Sequence, residues 1–340
     1  ALKCELFSLL FSFRPPIHFT VYNKCWYFNK YLTVSLPLCY NSSKVSSTVR
    51  LYVIRPFESS ISSLIVYGQC KIISKLKLGE PVMNVGVSTA NLYPMRTEDA
   101  LNRLLVAGFK TIEVFLNTES EANPDFALQL RRCADACGAR IAALHSYNAI
   151  SESFMYFTDY ERRLKDGLKH LDNMFQAAHA AGAPYVIMHG DRPAGPLSDE
   201  DSIRRFERLY EMGQQQGITL LLENVYNYRS ANLEYISAMY KKMGDKAGFV
   251  FDLKQCGRCR LSPAKVISAM SSGIRHVHLS DNTEQSDCLV PGRGNTDYAE
   301  LIKNLKQVGF DGDLIIELYR ANFETISDLI DGYNYLTNYV

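Results

Sequence analysis

Residues 274–282 read "IRHVHLSDN", with two histidines separated by one residue inside an apolar run. Alternate side chains of a β-strand lie on the same face, so His276 and His278 are expected to point in one direction. One such histidine is explained simply as a core residue that bonds a carbonyl oxygen. Two histidines on one face raise the question of which side chains from the neighbouring strands face them.

Runs of the same apolar or β-branched kind recur from Met83 onward, separated by amphipathic segments with helical spacing. One such segment, residues 198–217, has Ser198 as its cap, acidic residues in its first turn and Gly217 after its end. Strands that read as nearly continuous apolar runs are typical of a parallel sheet covered on both faces. The eight runs are NVGVS (84–88), TIEVF (111–115), RIAALH (140–145), YVIMH (185–189), ITLLLE (218–223), GFVFD (248–252), IRHVHL (274–279) and DLIIEL (313–318).

Eight strand–helix units between residues 83 and 340 predict an α/β fold of the closed (β/α)8 type, the TIM barrel. Such a barrel typically takes about 250 residues. The competing open doubly wound sheet normally carries a glycine-rich phosphate loop after its first strand. Here the first run continues as "STANLYP", without that loop. We therefore assign residues 83–340 to one TIM-barrel domain.

Residues 1–82 differ in composition from the rest of the chain. They hold ten Lys or Arg and three acidic residues, against 27 and 33 from Met83 onward, and they contain no methionine. They show no sustained strand or helix period. We interpret them as a poorly structured N-terminal extension without a function of its own, and as sequence translated upstream of a bacterial start at Met83. A native N-terminus found by mass spectrometry well before Met83 would contradict the second part of this interpretation.

Composition limits the class of protein. With 47% hydrophobic residues, 21% charged residues and a net charge of +1, the chain is globular and lacks the basic surplus of a dedicated nucleic-acid binder. No apolar stretch approaches the roughly 20 residues that a membrane span needs. The main domain has an odd number of cysteines without a disulfide-framework spacing, which favours reduced thiols and a cytoplasmic location. A homo-oligomer is left open.

Polar residues end or interrupt most of the predicted strands, and in a TIM barrel the carboxyl ends of the strands carry the chemistry. Each of these residues alone has a structural explanation. Several ionisable groups buried in one place cost several kcal/mol each unless they are paired or bind a cation. We therefore expect a metal ion at the mouth. In chain order these residues are Ser88, Glu113, His145, His189, Glu223, Asp252, His278 and Glu317.

Four of these residues form the predicted ligand set: Glu223, Asp252, His278 and Glu317. Three carboxylates and one imidazole suit one divalent ion, Mn²⁺ or Mg²⁺ first, with Co²⁺ or Zn²⁺ as alternatives. Such an ion would stabilise the enediolate formed when a hydroxy-ketone loses a proton. Glu223 and Glu317 are the predicted catalytic acid and base, one removing a proton and the other returning it.

The stretches "LLLENVYN", "GFVFDLKQ", "HVHLSDN…PGRGNTDY" and "GFDGDLIIEL" resemble the xylose-isomerase-like TIM barrel superfamily over about residues 83–320. That superfamily includes sugar and sugar-phosphate isomerases and epimerases, inosose dehydratases and endonuclease IV. The resemblance implies a metal-dependent isomerase or epimerase with a small carbohydrate as its substrate. It matches the same four residues to the metal ligands, with Glu223 and Glu317 doubling as acid and base.

Two departures from the ketose 3-epimerases concern the substrate. Gln255 stands where those enzymes carry a substrate-binding histidine, and Arg229 stands where they carry a second glutamate. A free ketohexose is therefore a doubtful substrate, and nearby cations suggest an anionic one such as a sugar phosphate or sugar acid. The predicted substrate-binding residues are His145, His189, Lys254, Arg293 and Arg320.

Three alternatives stay open. An inosose-dehydratase-like lyase would use the same metal and base. An endonuclease-IV-like enzyme would use His145 and His189 as ligands of further zinc ions. Such an enzyme also needs a histidine at the position of Gln255, which is absent here. It needs an Asp-x-His sequence in the loop after the seventh strand, where this chain has only Asp287. A barrel that binds sugar without turnover is the third alternative, and the intact ligand set argues against it.

Overall fold

The computed structural model describes residues 26–28, 31–38, 47–53, 83–147 and 149–340. The chain divides into two compact units, residues 1–79 and 80–340. In the first unit the strands β1 (Trp26–Phe28), β2 (Tyr31–Leu38) and β3 (Ser47–Val53) form an antiparallel sheet in that order. The remainder of the predicted extension, 1–82, lies outside the described residues.

Eight parallel strands of the second unit close into a barrel, which confirms the predicted TIM-barrel fold. Closure comes from the last strand pairing with the first, with Asp313 opposite Asn84 and Ile316 opposite Val87. The strands lie within two residues of the bounds predicted from the sequence. They are β4 (Asn84–Ser88), β5 (Thr111–Phe115), β6 (Arg140–His145), β7 (Tyr185–Met188), β8 (Thr219–Glu223), β9 (Phe249–Asp252), β10 (Ile274–Leu279) and β11 (Asp313–Ile316).

Helices follow the strands and cover the outside of the barrel. Ser198 caps one of them as expected, since its hydroxyl accepts a hydrogen bond from the backbone N–H of Asp201 at 3.1 Å. Among the described residues, no helix combines the length and the apolar character needed to cross a membrane. The helices are α1 (Thr97–Val106), α2 (Pro124–Ala136), α3 (Ala149–Tyr156), α4 (Glu161–Ala181), α5 (Asp199–Gln214), α6 (Leu233–Met243), α7 (Leu253–Cys259), α8 (Pro263–Met270), α9 (Tyr298–Gln307) and α10 (Ile326–Leu336).

The inside of the barrel has an apolar layer below a polar one. Ala143, Ile187, Leu221 and Val250 form a small buried cluster contributed by four consecutive strands. Two residues further along each strand, the same face carries the polar residues His145, His189, Glu223 and Asp252. The two-residue repeat of a strand therefore places the candidate site directly above an apolar floor.

The floor also depends on a glycine in β4. A Cβ atom added at Gly86 would lie 2.5 Å from the backbone oxygen of Thr111 and 2.6 Å from Cδ1 of Ile315. Ordinary van der Waals contacts between such atoms are about 3.5–4.0 Å. Gly86 is thus the residue that lets β5 and β11 approach β4 inside the barrel.

We expect Gly86→Ala to lower the free energy of unfolding by about 1–3 kcal/mol, because the added methyl overpacks the interior. Urea denaturation measures this difference. Gly257→Ala is the matched control, since no heavy atom lies within 4 Å of a Cβ at that helical position. The control should be neutral or stabilising by up to about 1 kcal/mol. Equal stabilities for the two variants would contradict this account of the floor.

A long loop follows β10, and a single carboxylate organises it. Buried Asp281 accepts hydrogen bonds from the backbone N–H groups of Gly292 (2.9 Å), Gly294 (3.0 Å) and Thr296 (3.0 Å). It also accepts one from the next residue in the chain, at 2.9 Å. Both carboxylate oxygens are used, so the loop has a fixed path from β10 to α9.

Replacing Asp281 with Asn puts an NH₂ group against two of these donors and leaves them without an acceptor. We expect this variant to lose about 1–3 kcal/mol of stability and to show faster hydrogen exchange at Gly292, Gly294 or Thr296. Asp297→Asn is the control, because asparagine caps a helix as well as aspartate does. Unchanged exchange in the Asp281 variant would contradict the role assigned to this carboxylate.

Candidate active site and metal centre

The four predicted metal ligands meet at the carboxyl end of the barrel. Glu223 and Asp252 end β8 and β9, His278 lies in β10, and Glu317 directly follows β11. Each offers one ligand atom, and these atoms all lie within 4.8 Å of one another. The strand register explains the meeting, because His278 pairs with Asp252 on one side and with Ile315 on the other.

His278 Nδ1 lies at the centre of this group. It is 3.4 Å from Glu317 Oε2, 3.6 Å from Glu223 Oε1 and 3.9 Å from Asp252 Oδ2. These separations exceed hydrogen-bond lengths for most of the set, and Nδ1 has no hydrogen-bond partner in the part of the chain that the structure describes. A buried nitrogen without a partner, facing three carboxylates, fits a divalent cation.

Asp252 is held so that one oxygen remains available to the site. Its backbone N–H donates to Asn224 Oδ1 at 2.8 Å, and its own carbonyl accepts from Asn224 Nδ2 at 3.0 Å. Its Oδ1 accepts from the backbone N–H of Gln255 at 3.1 Å and so caps α7. Oδ2 is buried and forms no hydrogen bond of good geometry with the described residues, although the ammonium group of Lys254 lies 3.2 Å away as a counter-ion. This oxygen is the one directed to the candidate metal position.

A second group of possible ligands shares Glu223. Its Oε2 lies 3.4 Å from His145 Nε2 and 3.2 Å from His189 Nε2, and the two imidazole rings are 5.2 Å apart, centroid to centroid. These three side chains also meet the geometry for an ion. The structure thus brings together His145 and His189 beside the main cluster, and their role as substrate ligands stays a prediction.

Lys254 extends into the cluster from the first turn of α7. Its Nζ is 2.9 Å from Glu317 Oε2 and 3.2 Å from Asp252 Oδ2, and its side chain is only 5% exposed. The sequence placed Lys254 near the mouth as a substrate ligand. In the structure it is also a counter-ion of two predicted metal ligands.

Arg293 and Arg320, the other predicted cations, have partners of their own. Arg293 forms an ion pair with Asp328 at the start of α10. Arg320 donates to the backbone oxygen of Phe323 at 2.7 Å and lies over that ring at 4.8 Å. These contacts do not include a member of the metal cluster, and substrate binding by either arginine stays a prediction.

Sequence reasoning noted Glu113 as a polar residue in mid-strand but gave it no role. It is fully buried, and its Oε2 lies 2.8 Å from Nε2 of both His276 and His278. Ser88 donates its hydroxyl to the other oxygen at 3.0 Å. The signal in the sequence was a carboxylate inside the apolar run TIEVF, and the structure pairs this residue with Ser88 of β4.

Glu152 in α3 was not singled out from the sequence. Its buried carboxylate accepts hydrogen bonds from the backbone N–H groups of His189 at 2.6 Å and Gly190 at 2.9 Å. It therefore fixes the end of β7, and with it the position of His189. A glutamate within a helix that follows β6 gives no sign in the sequence that it will reach the next strand.

The charges of the site act strongly on one another in the protein without an ion. Burial raises the pKa of Asp252 to about 7, and the charges of Glu223 and Glu317 add to that effect. For His145, burial lowers the pKa, but the hydrogen bond to Glu223 and nearby carboxylates outweigh it and raise the pKa to about 9. Burial likewise opposes ionisation of Glu317, yet Lys254 keeps the pKa of its carboxyl below the usual value. Neighbouring groups with opposite shifts are typical of sites that transfer protons.

Solved structures show the same fold. A D-tagatose 3-epimerase-like protein superimposes with a TM-score of 0.63 at 21% identity, covering 76% of this chain and 97% of the other. A D-psicose 3-epimerase from Clostridium cellulolyticum gives a TM-score of 0.63 at 14% identity, covering 75% and 99%. An uncharacterised protein of Mycobacterium leprae is 20% identical, over 73% of this chain and 93% of that protein.

A family model covers most of the barrel. The model of the xylose isomerase-like TIM barrel matches residues 101–339, from α1 to the residue before the C-terminus. Together with the closed eight-stranded barrel, this match establishes that the chain belongs to the xylose isomerase-like TIM barrel family.

Proposed function

We propose that the protein is a metal-dependent isomerase or epimerase of a sugar or sugar phosphate. The observation that carries the proposal is the convergence of Glu223, Asp252, His278 and Glu317 on one point, with buried ligand atoms left without hydrogen bonds. The epimerases among the structural neighbours support it through their fold. A cytoplasmic location, predicted from the cysteine spacing, belongs to this proposal.

Glu223 and Glu317 have separate roles in this mechanism. They come from β8 and the end of β11, so they approach the cluster from different sides of the barrel. One accepts the proton from the carbon next to the carbonyl, and the other returns a proton to the product. A divalent ion held by the four ligands would stabilise the negative charge of the deprotonated substrate.

Other residues of the mouth would bind and orient the substrate. His145 and His189 lie beside Glu223 and present imidazole donors or acceptors for hydroxyl groups. Lys254 is a donor on the Glu317 side and lies 5.1 Å from the centroid of the half-exposed Tyr319 ring. A substrate seated between these groups would have its reacting carbon between the two glutamates.

The lyase alternative has the same geometric support. A dehydratase needs the same ion and the same base, followed by loss of a β-hydroxyl group. The distinction lies in the substrate and in the proton donor for the leaving group, so product analysis must separate the two reactions.

The second group of possible ligands, around Glu223, supports the nuclease alternative, but the residues at the positions predicted for the third zinc ion do not. Gln255 directs its side-chain oxygen to the backbone N–H of Tyr226 at 3.1 Å. Asp287 is paired with Arg258 at 2.7 Å. The residues at the positions of the third zinc ion are therefore engaged elsewhere, which favours one or two ions over three.

The number of metal ions bound per chain distinguishes the proposed function from the nuclease alternative. We expect isothermal titration of the metal-free protein with Mn²⁺ to give about one ion per chain. Asp252→Asn should weaken binding by at least about tenfold, because it removes one charge and one ligand oxygen. The control Asp287→Asn should bind as the wild type does. Three tightly bound zinc ions per chain would favour the nuclease, and no binding at all would contradict the proposed function.

Proton abstraction is tested by incorporation of solvent deuterium into a panel of sugars, sugar phosphates and inososes. We expect Glu317→Gln, measured at saturating metal, to lose exchange by about 10²–10⁴-fold, as removal of a general base does. Glu324→Gln, on the exposed segment before α10, is the control and should retain exchange. Unchanged exchange in the Glu317 variant would remove this residue from catalysis. Water loss from an inosose would indicate the lyase, and a metal-loaded protein without any exchange would indicate a binding module.

A further inference from the structure

A buried carboxylate lies beneath the candidate metal site, on the side away from the mouth. Glu113 of β5 has no exposed surface and is contacted by residues of two other strands, Ser88 of β4 and the two histidines of β10. Its Oε2 accepts both imidazole contacts, each at 2.8 Å, and its Oε1 accepts the hydroxyl of Ser88. The arrangement joins three strands below the ligand set.

The chemistry of these contacts fixes which nitrogen carries hydrogen. A carboxylate is an acceptor only, so an imidazole that bonds to it through Nε2 must donate Nε2–H. In the neutral ring, the form that binds a metal, this leaves the lone pair of His278 on Nδ1, the atom that faces the carboxylates of Glu223 and Glu317. The contact with Glu113, on the side of the ring away from the cluster, therefore determines which nitrogen of His278 carries the proton.

The ring of His278 is also fixed in its orientation. His145 stacks on one face with 6.0 Å between centroids and 22° between planes, and His276 contacts it edge-on at 5.4 Å and 83°. With Nε2 anchored and both neighbours in place, rotation of the ring would break the 2.8 Å contact with Glu113. Nδ1 is thus held toward the cluster before any ion arrives.

We propose that Glu113 is a positioning residue that holds His278 as the Nε2–H tautomer and thereby directs its Nδ1 lone pair to the metal. His276 and Ser88 keep the carboxylate of Glu113 in place. The inference rests on the metal site of the proposed function and adds to it a residue that contacts neither ion nor substrate. Such carboxylate partners of ligand histidines change metal affinity by about 10–100-fold when they are mutated.

One rival explanation is that Glu113, His276 and His278 themselves hold an ion, because their ligand atoms also lie close enough together. In that arrangement His276 is a ligand, and its loss abolishes binding. In the proposed arrangement His276 only helps to hold Glu113. His276→Gln, which keeps a side-chain donor, should then change metal affinity by no more than a few-fold.

The test compares Glu113→Gln and Glu113→Met by titration with Mn²⁺. Gln keeps the shape and one acceptor oxygen but removes the charge, and Met removes the acceptor at similar volume. We expect Mn²⁺ to bind about 10–100-fold more weakly to both variants, with the larger loss for Met. If Met prevents folding, Gln alone decides. Wild-type affinity in a folded Gln variant, or loss of binding in His276→Gln, overturns the proposal.

A spectroscopic measurement separates positioning from general destabilisation. In the Mg²⁺-loaded wild type, nitrogen-15 NMR of the histidine rings should show His278 protonated at Nε2, with its N–H proton shifted downfield by the carboxylate. The proton should move upfield in Glu113→Gln, whereas the folded but destabilised Gly86→Ala protein should keep the wild-type signal. A wild type that binds no ion refutes the proposed function. The metal-free Nε2 signal still tests the contact, and its absence overturns the inference.

Discussion

Burial of four carboxylates inside one closed barrel is the constraint on which the rest of the site depends. Glu113, Glu223 and Asp252 are almost fully buried, and Glu317 is nearly so. A buried charge costs several kcal/mol unless compensating charges and hydrogen bonds surround it. Four imidazoles and the ammonium group of Lys254 supply much of this compensation, and a cation at the unpartnered atoms of the predicted ligand set would complete it. Removal of any one member therefore changes the ionisation of the others.

The barrel produces this convergence through strand parity. Every second side chain of a strand points into the barrel. The apolar residue of the floor and the polar residue above it are therefore two positions apart, as with Val250 and Asp252. A one-residue shift of a strand would turn its polar group outward against the helices. Gly86 helps to hold the register, because a side chain there would collide with Thr111 and Ile315. The geometry of the site is therefore a consequence of the packing below it.

The strands, and the meeting of the four predicted ligands at one point, could be predicted from the sequence because both follow from local patterns. The apolar runs and the turn glycines indicated where the strands lie. The last inward residue of several strands indicated which side chains would meet in the predicted ligand set. Contacts that depend on side chains reaching across the fold had no such signal. Lys254 lies in the first turn of α7, and only the packed structure shows that its Nζ reaches Glu317. Glu113 was visible as a polar strand residue, but its two histidine partners are more than 160 positions away.

Ion pairs that the arginines near the mouth already form limit which charged substrates these arginines could bind. Arg229, one of the cations near the mouth, is paired with Asp191 at 2.8 Å. Arg293 is paired with Asp328. An anionic group at the largely buried Arg229 would have to displace Asp191, with the accompanying desolvation cost. At the half-exposed Arg293 the pair with Asp328 is worth little and opposes such a group only weakly. Lys254 pairs with both Asp252 and Glu317. An ion bound by those two carboxylates would neutralise part of their charge and so weaken their attraction for the lysine. Binding of metal would thus make Lys254 the more available donor, next to Glu317, the residue that we propose as one of the two proton-transfer groups.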